Sequence, residues 1–131
     1  MVMDPVPDLG DLIWLFENEP TYRYAEDDRE VGYELDWREM WPYTAVTFAL
    51  ERGDSRVQMY IEPGYHVVRL WLTVKGRELV DLDLRGVQRV AVDRTKDGEL
   101  LRIEFPERAD AETLWLRTKP DISLGWHVGT D

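Results

Sequence analysis

Few residues in this chain are of a kind that does chemistry. His66 and His127 are the only histidines among 131 residues, and there is no cysteine. Imidazoles and carboxylates together can hold a metal ion, but neither histidine stands in a recognisable ligand spacing. The missing cysteines remove thiolate zinc sites, disulfides and thiol nucleophiles at once. Asp27-Asp28-Arg29-Glu30 lacks the spacing and the glycine of a calcium loop. His66 therefore reads as a residue flanking a tight turn and His127 as part of a C-terminal strand, with no metal and no cofactor expected.

Nucleophilic catalysis fares no better. Ser55 and Ser123 are the only serines; Ser55 falls in a hairpin turn, and neither lies in a Gly-x-Ser-x-Gly elbow. A carboxylate pair for glycoside hydrolysis needs two acids at a set separation, and no spacing among the 27 acids singles one out. Asp81 and Asp83 share one face of a strand, but Arg69 and Arg85 stand close enough to pair with them. Arg52-Gly53-Asp54 matches an integrin-binding tripeptide, yet a hairpin accounts for its Gly-Asp. Arg85-Gly86 is a turn without the following helix of a phosphate loop. Basic residues are scattered singly, so no nucleic-acid patch forms.

What remains is charge. Residues 1–41 hold twelve Asp or Glu against three Arg, a balance of −9, while the other ninety residues come to −2, for a total of −11. Trp14, Phe16, Tyr22, Tyr24, Tyr33, Trp37 and Trp41 lie in that acidic third, with Tyr43 just beyond; these are eight of fifteen aromatics. Acids mixed with rigid aromatic anchors make a surface that grips a basic protein. Tyr22, Tyr24, Trp37 and Trp41 are the expected anchors. Glu26, Asp27, Asp28 and Glu30 are the acids expected to steer the approach. In charge and size the chain is similar to small acidic inhibitors of basic nucleases, such as bacterial toxin immunity proteins; the similarity is one of character and rests on no motif.

The expected function is a non-enzymatic, acidic protein-binding or inhibitory domain. The alternative is a small-molecule-binding β domain with Tyr60 and Trp71 lining an aromatic pocket, and the third reading is a carboxylate-dependent hydrolase. The net charge opposes binding to nucleic acid and to anionic membranes. No apolar run reaches membrane-span length, and the first residues lack a signal-peptide pattern. Thirteen Arg against three Lys fits a high-GC bacterial genome. A cytoplasmic monomer or homodimer is expected.

One domain of 131 residues must position all this: an acidic segment over 1–42 packed on an antiparallel sheet over 43–128. Leu9, Leu12, Ile13 and Phe16 share a face, predicting a helix over 8–18 capped by Asp8 or Asp11 and stopped by Asn18 and Pro20. A short strand follows over 21–24. From Tyr43 onward the apolar period is two, in eight short strands punctuated by Gly53-Asp54, Pro63-Gly64, Gly76, Gly86 and Asp97-Gly98. The fold class is mainly β (α+β), an antiparallel β-meander of about eight strands with a short N-terminal helix, forming a curved sheet, barrel or sandwich; the long meander leans toward a single curved sheet or barrel.

Turn chemistry sets the registers. A two-residue Gly53-Asp54 turn pairs Leu50 with Val57, Phe48 with Met59 and Val46 with Ile61. A turn at Pro63-Gly64 pairs Met59 with Val68 and sets His66 opposite Ile61. A plain two-residue turn at Lys75-Gly76 would bury Asp81 and Asp83. A three-residue loop or a bulge is therefore expected, pairing Leu72 with Val80, Leu70 with Leu82 and Val68 with Leu84. Val46, Phe48, Val57, Met59, Val68, Leu70, Leu72, Leu82, Ile103 and Leu116 are the expected core. Tyr60, Val67, Trp71 and Leu79 point to the opposite face, where the helix and its aromatic neighbours are expected to cover them.

Overall fold

Asp8 starts the only α-helix among the described residues, which are 6–22, 41, 44–96, 98–106 and 111–128 of a computed structural model. Its carboxylate accepts from the Gly10 amide at 3.4 Å, satisfying one of the free donors of the first turn. The helix, α1, runs Leu9–Phe16 and stops at Glu17, whose left-handed φ of 59° ends it before Asn18. Leu9, Leu12, Leu15 and Phe16 are its buried residues; Leu15 takes the inward place expected of Ile13, which is only half-buried.

Nine strands follow among the described residues: β1 (Thr21–Tyr22), β2 (Val46–Arg52), β3 (Ser55–Glu62), β4 (Val67–Val74), β5 (Arg77–Arg85), β6 (Arg89–Thr95), β7 (Gly98–Glu104), β8 (Ala111–Arg117) and β9 (Ser123–Val128). They form two antiparallel sheets, ordered β1-β2-β3-β4-β5 and β6-β7-β8-β9. The first sheet thus has four long strands with the two-residue β1 added at its edge.

The β2–β3 hairpin has the expected register, Val46 with Ile61, Phe48 with Met59 and Leu50 with Val57. Gly53 supplies the positive φ (57°) at the first turn position. The β4–β5 hairpin also has the expected pairs, Leu72 with Val80, Leu70 with Leu82 and Val68 with Leu84, and a bulge produces them. Lys75 and Gly76 both take positive φ, 52° and 76°, in a two-residue turn. The register then slips between Leu72 and Thr73, leaving Leu79 out of the ladder.

The β3–β4 register is displaced by two from expectation. Met59 pairs with Leu70 and Val57 with Leu72, because Pro63–Tyr65 forms a 3-10 turn and His66 follows in the left-handed region at φ 58°. Four residues, not two, make the connection, so His66 is not opposite Ile61, which pairs with Val68.

Gly86, at φ 71°, breaks the meander into two sheets. The next amide, Val87, donates to the His66 carbonyl at 3.0 Å on the first sheet, and the one after, Gln88, donates to Glu104 at 2.8 Å on the second. Consecutive amides thus bond to different sheets. A single curved sheet does not form because the ladder cannot continue through that switch.

One apolar cluster joins the sheets: Val46, Phe48, Val57, Met59, Ile61, Val68 and Leu70 meet Val90, Leu101, Ile103, Leu114 and Leu116. Leu72 and Leu82, expected in the core, are only half-buried. The helix closes the cluster. Phe16 stacks on Phe48 with ring centroids 5.1 Å apart, and α1 touches both β2 and β7. Each fully buried side chain of its apolar face contributes roughly 1.5–3 kcal/mol. Because Phe48 is on the inner side of the first sheet, α1 packs between the sheets and not over the Tyr60–Trp71 face.

Candidate partner-binding surface

Of the residues read from the sequence as partner contacts, Tyr24, Glu26, Asp27, Asp28, Glu30 and Trp37 lie outside the described residues. Tyr22 is in β1, paired with Val46. Trp41 is 2% exposed and belongs to the core cluster with Leu9, Phe16 and Phe48. Its indole is a core side chain and does not project from the surface.

The described part of the acidic third, residues 6–22, holds Asp8, Asp11, Glu17 and Glu19 and no Lys or Arg. Three of those acids are engaged within the chain. Asp8 caps α1. Asp11 pairs with Arg94 at 3.2 Å. Glu17 pairs with Arg52 and, at 3.8 Å, with Lys119. Between them stands Trp14, 40% exposed, with the Lys119 ammonium 3.7 Å and the Arg94 guanidinium 5.5 Å from its ring centroid. This network stitches the helix to both sheets. Thr118 adds a buried bond, its hydroxyl donating to the Leu15 carbonyl at 2.8 Å. The Asn18 side-chain amide donates to Phe16 at 3.0 Å and to Ala49, on β2, at 2.9 Å.

Where the chain leaves α1, a polar groove of about 670 Å³ opens against β2 and β3. Glu17, Glu19 and Glu51 face Arg52, Arg56, Asn18 and Gln58 across it. Glu51 stands opposite Arg56 in register and Arg52 is held by Glu17, so the groove carries little uncompensated charge.

Tyr60 and Trp71 share the outer face of the first sheet, with Tyr60 opposite Arg69 and Trp71 opposite Gln58. Arg69 lies between them. Its guanidinium is 4.7 Å from the Trp71 ring centroid and binds Asp81 through Nε and Nη2 at 3.1 and 3.0 Å. That bidentate bond, ahead of the attraction of nearby acids, raises the Arg69 pKa above its ordinary value. Arg85 pairs with Asp83 at 3.2 Å, so both aspartates of β5 are surface partners, as their positions led us to expect. The apolar slot reaching from Trp71 and Leu72 to Leu116 and Leu124 encloses about 10 Å³, room for one water and no organic ligand.

Reading the sequence did not single out Trp115. In β8, Leu114 and Leu116 point inward, so alternation places Trp115 on the outer face of the second sheet. It pairs with Gly125 of β9, and a glycine inside a strand is the signal that something approaches the backbone closely. Beside it, Arg102 is held by Asp93 at 3.2 Å and Glu104 at 3.4 Å, and Glu104 by Arg89 at 2.9 Å.

His66 is a structural residue. Its Nδ1 is 2.8 Å from the Val87 carbonyl and its amide donates to Pro63 at 3.2 Å, both around the turn. Among the described residues, no group of three His, Asp or Glu side chains converges as a ligand set, and no helix is long and apolar enough to cross a membrane.

These features define a two-sheet antiparallel β domain with one buried helix and a surface worked by charge pairs and tryptophans. No protein-family model matches the chain, and no curated protein matches it significantly. Among solved structures it is similar in fold to a chain of a contact-dependent growth inhibition toxin - immunity protein complex from Klebsiella pneumoniae 342, with a TM-score of 0.74 over 97% of this chain and 98% of that one, at 16% identity.

Proposed function

We propose that the protein is an immunity-like inhibitor that binds a basic toxin domain. The observation that carries this reading is the end-to-end likeness of fold to a chain of a toxin–immunity complex, in a chain whose net charge is −11. A toxin acting on a polyanion presents a basic face, and an acidic protein competes for that face by charge and by shape. Asp8, Asp11 and Glu17 are engaged in holding the fold together. Steering therefore falls to Glu26, Asp27, Asp28 and Glu30, with Tyr22, Tyr24 and Trp37 as contacts.

The test is co-production. The protein encoded beside this gene is made in a host cell with and without this chain, and growth is followed. Arrest without it and growth with it, together with a complex that coelutes on gel filtration, is the expected outcome. Arrest that this chain does not relieve would overturn the reading.

A further inference from the structure

We infer that the open face of the Trp115 indole is the docking point for an arginine side chain of the protein partner; this rests on the proposed binding of a basic protein and adds to it a surface on the second sheet. A Cβ built on Gly125 would stand 2.0, 2.2 and 2.4 Å from Cζ2, Cη2 and Cε2 of Trp115. A point that close to three adjacent ring atoms lies over the ring plane and not beside its edge. One face of the indole therefore rests on the glycine backbone, and the other faces solvent, the side chain being 38% exposed.

Among the described residues, the other exposed or half-exposed tryptophans each have a ring face met by one of the chain's own groups. Trp14 has Lys119 and Arg94 over its ring, Trp71 has Arg69, and Trp126 stacks on Phe105 at 6.2 Å. Trp115 has no such neighbour among the described residues. Two of those three cases use cations, which the negative ring face attracts.

The net charge of the whole chain favours the same occupant. Arg102, opposite Trp115 in register, has its charge balanced by Asp93 and Glu104, and the net charge of −11 sets the sign of the wider field. A planar guanidinium matches a flat, immobile indole better than an ammonium does. The glycine beneath holds the ring in place before binding, so little side-chain entropy is lost when a partner stacks on it.

Each of the six tryptophans gives one indole N–H resonance in the uniformly 15N-labelled chain, and Trp115→Phe identifies the one that matters by its disappearance. Hexa-arginine peptide, added at low salt, is expected to shift the Trp115 resonance saturably, while hexaglutamate leaves it in place. Trp115→Leu is expected to weaken hexa-arginine binding about two- to fivefold, the size of an exposed cation–π contact, and Trp115→Phe to retain most of it. A Trp115 resonance that stays still under hexa-arginine, or that moves equally with hexaglutamate, would overturn the inference. The co-production assay separates this failure from that of the immunity reading. Relief of arrest together with a silent Trp115 sinks only the docking point, and a responsive Trp115 without relief sinks only the toxin partner.

Discussion

At the residue scale, Gly125 is the position where space alone decides. Its φ is not in the left-handed region, so the backbone would accept another residue. What forbids one is the Trp115 ring, which would lie 2.0 Å from the new Cβ. Gly125→Ala must therefore displace the indole from the sheet or bend β9. Overpacking of this kind costs about 1–3 kcal/mol. Chemical denaturation of the variant should show that loss, and near-ultraviolet circular dichroism should show a changed tryptophan environment. An unchanged midpoint and spectrum would mean that Trp115 does not lie on Gly125. The same ring explains why a glycine is found inside a strand whose other apolar residues are Leu124, Trp126 and Val128. Alternation with the buried Leu114 and Leu116 puts Trp115 on the outer face, but only the cross-strand pairing reveals its flat orientation.

At the element scale, the bulge in β5 is a register device, and removing it should leave the register alone. Thr73 pairs with Glu78 and Leu72 with Val80, so Leu79 occupies a place that no residue of β4 faces. Deleting Leu79 joins Glu78 directly to Val80 and keeps both pairs. Leu79 is 62% exposed, so its removal gives up little packing. The expected change is within about 1 kcal/mol, near the range of surface substitutions, with Leu70–Leu82 contacts preserved in nuclear Overhauser spectra. A loss of several kcal/mol would show that the bulged residue itself holds the strand. This bulge was legible in the sequence because the alternative buried Asp81 and Asp83, a penalty large enough to decide the question. The β3–β4 turn was not legible to the same degree. A displacement of two residues keeps every side chain on its face, so the apolar pattern cannot tell the two registers apart. The 3-10 turn at Pro63–Tyr65 and the left-handed His66 made the choice. The break after β5 was also hidden, since period-two patterning continues on both sides of Gly86. The helix was read from its apolar face, yet its seat against Phe48 came from packing between sheets that the sequence leaves open.

At the scale of the whole molecule, the uneven charge was the plainest signal in the sequence, and the structure engages part of it in internal ion pairs. Asp11 and Glu17 form ion pairs with Arg94, Arg52 and Lys119 inside the fold. Their charge is largely spent before any partner arrives. Glu26, Asp27, Asp28 and Glu30 belong to the steering set of the proposed function. The two sets should therefore respond differently to neutralisation. Asp27→Asn, Asp28→Asn and Glu30→Gln together should slow association with the basic partner by about tenfold at low salt and leave dissociation nearly unchanged, because steering acts on encounter. Asp11→Asn with Glu17→Gln should barely alter association and should lower the unfolding midpoint, by an amount limited to about 0–1 kcal/mol for each half-exposed pair. Stopped-flow association at rising ionic strength, beside denaturation of the same variants, separates the two. The wild-type rate should fall steeply with salt while the triple variant's rate stays flatter. Equal salt slopes for wild type and triple variant would move the steering charge elsewhere on the surface, and the acidic third would then be accounted for by solubility and by its internal pairs.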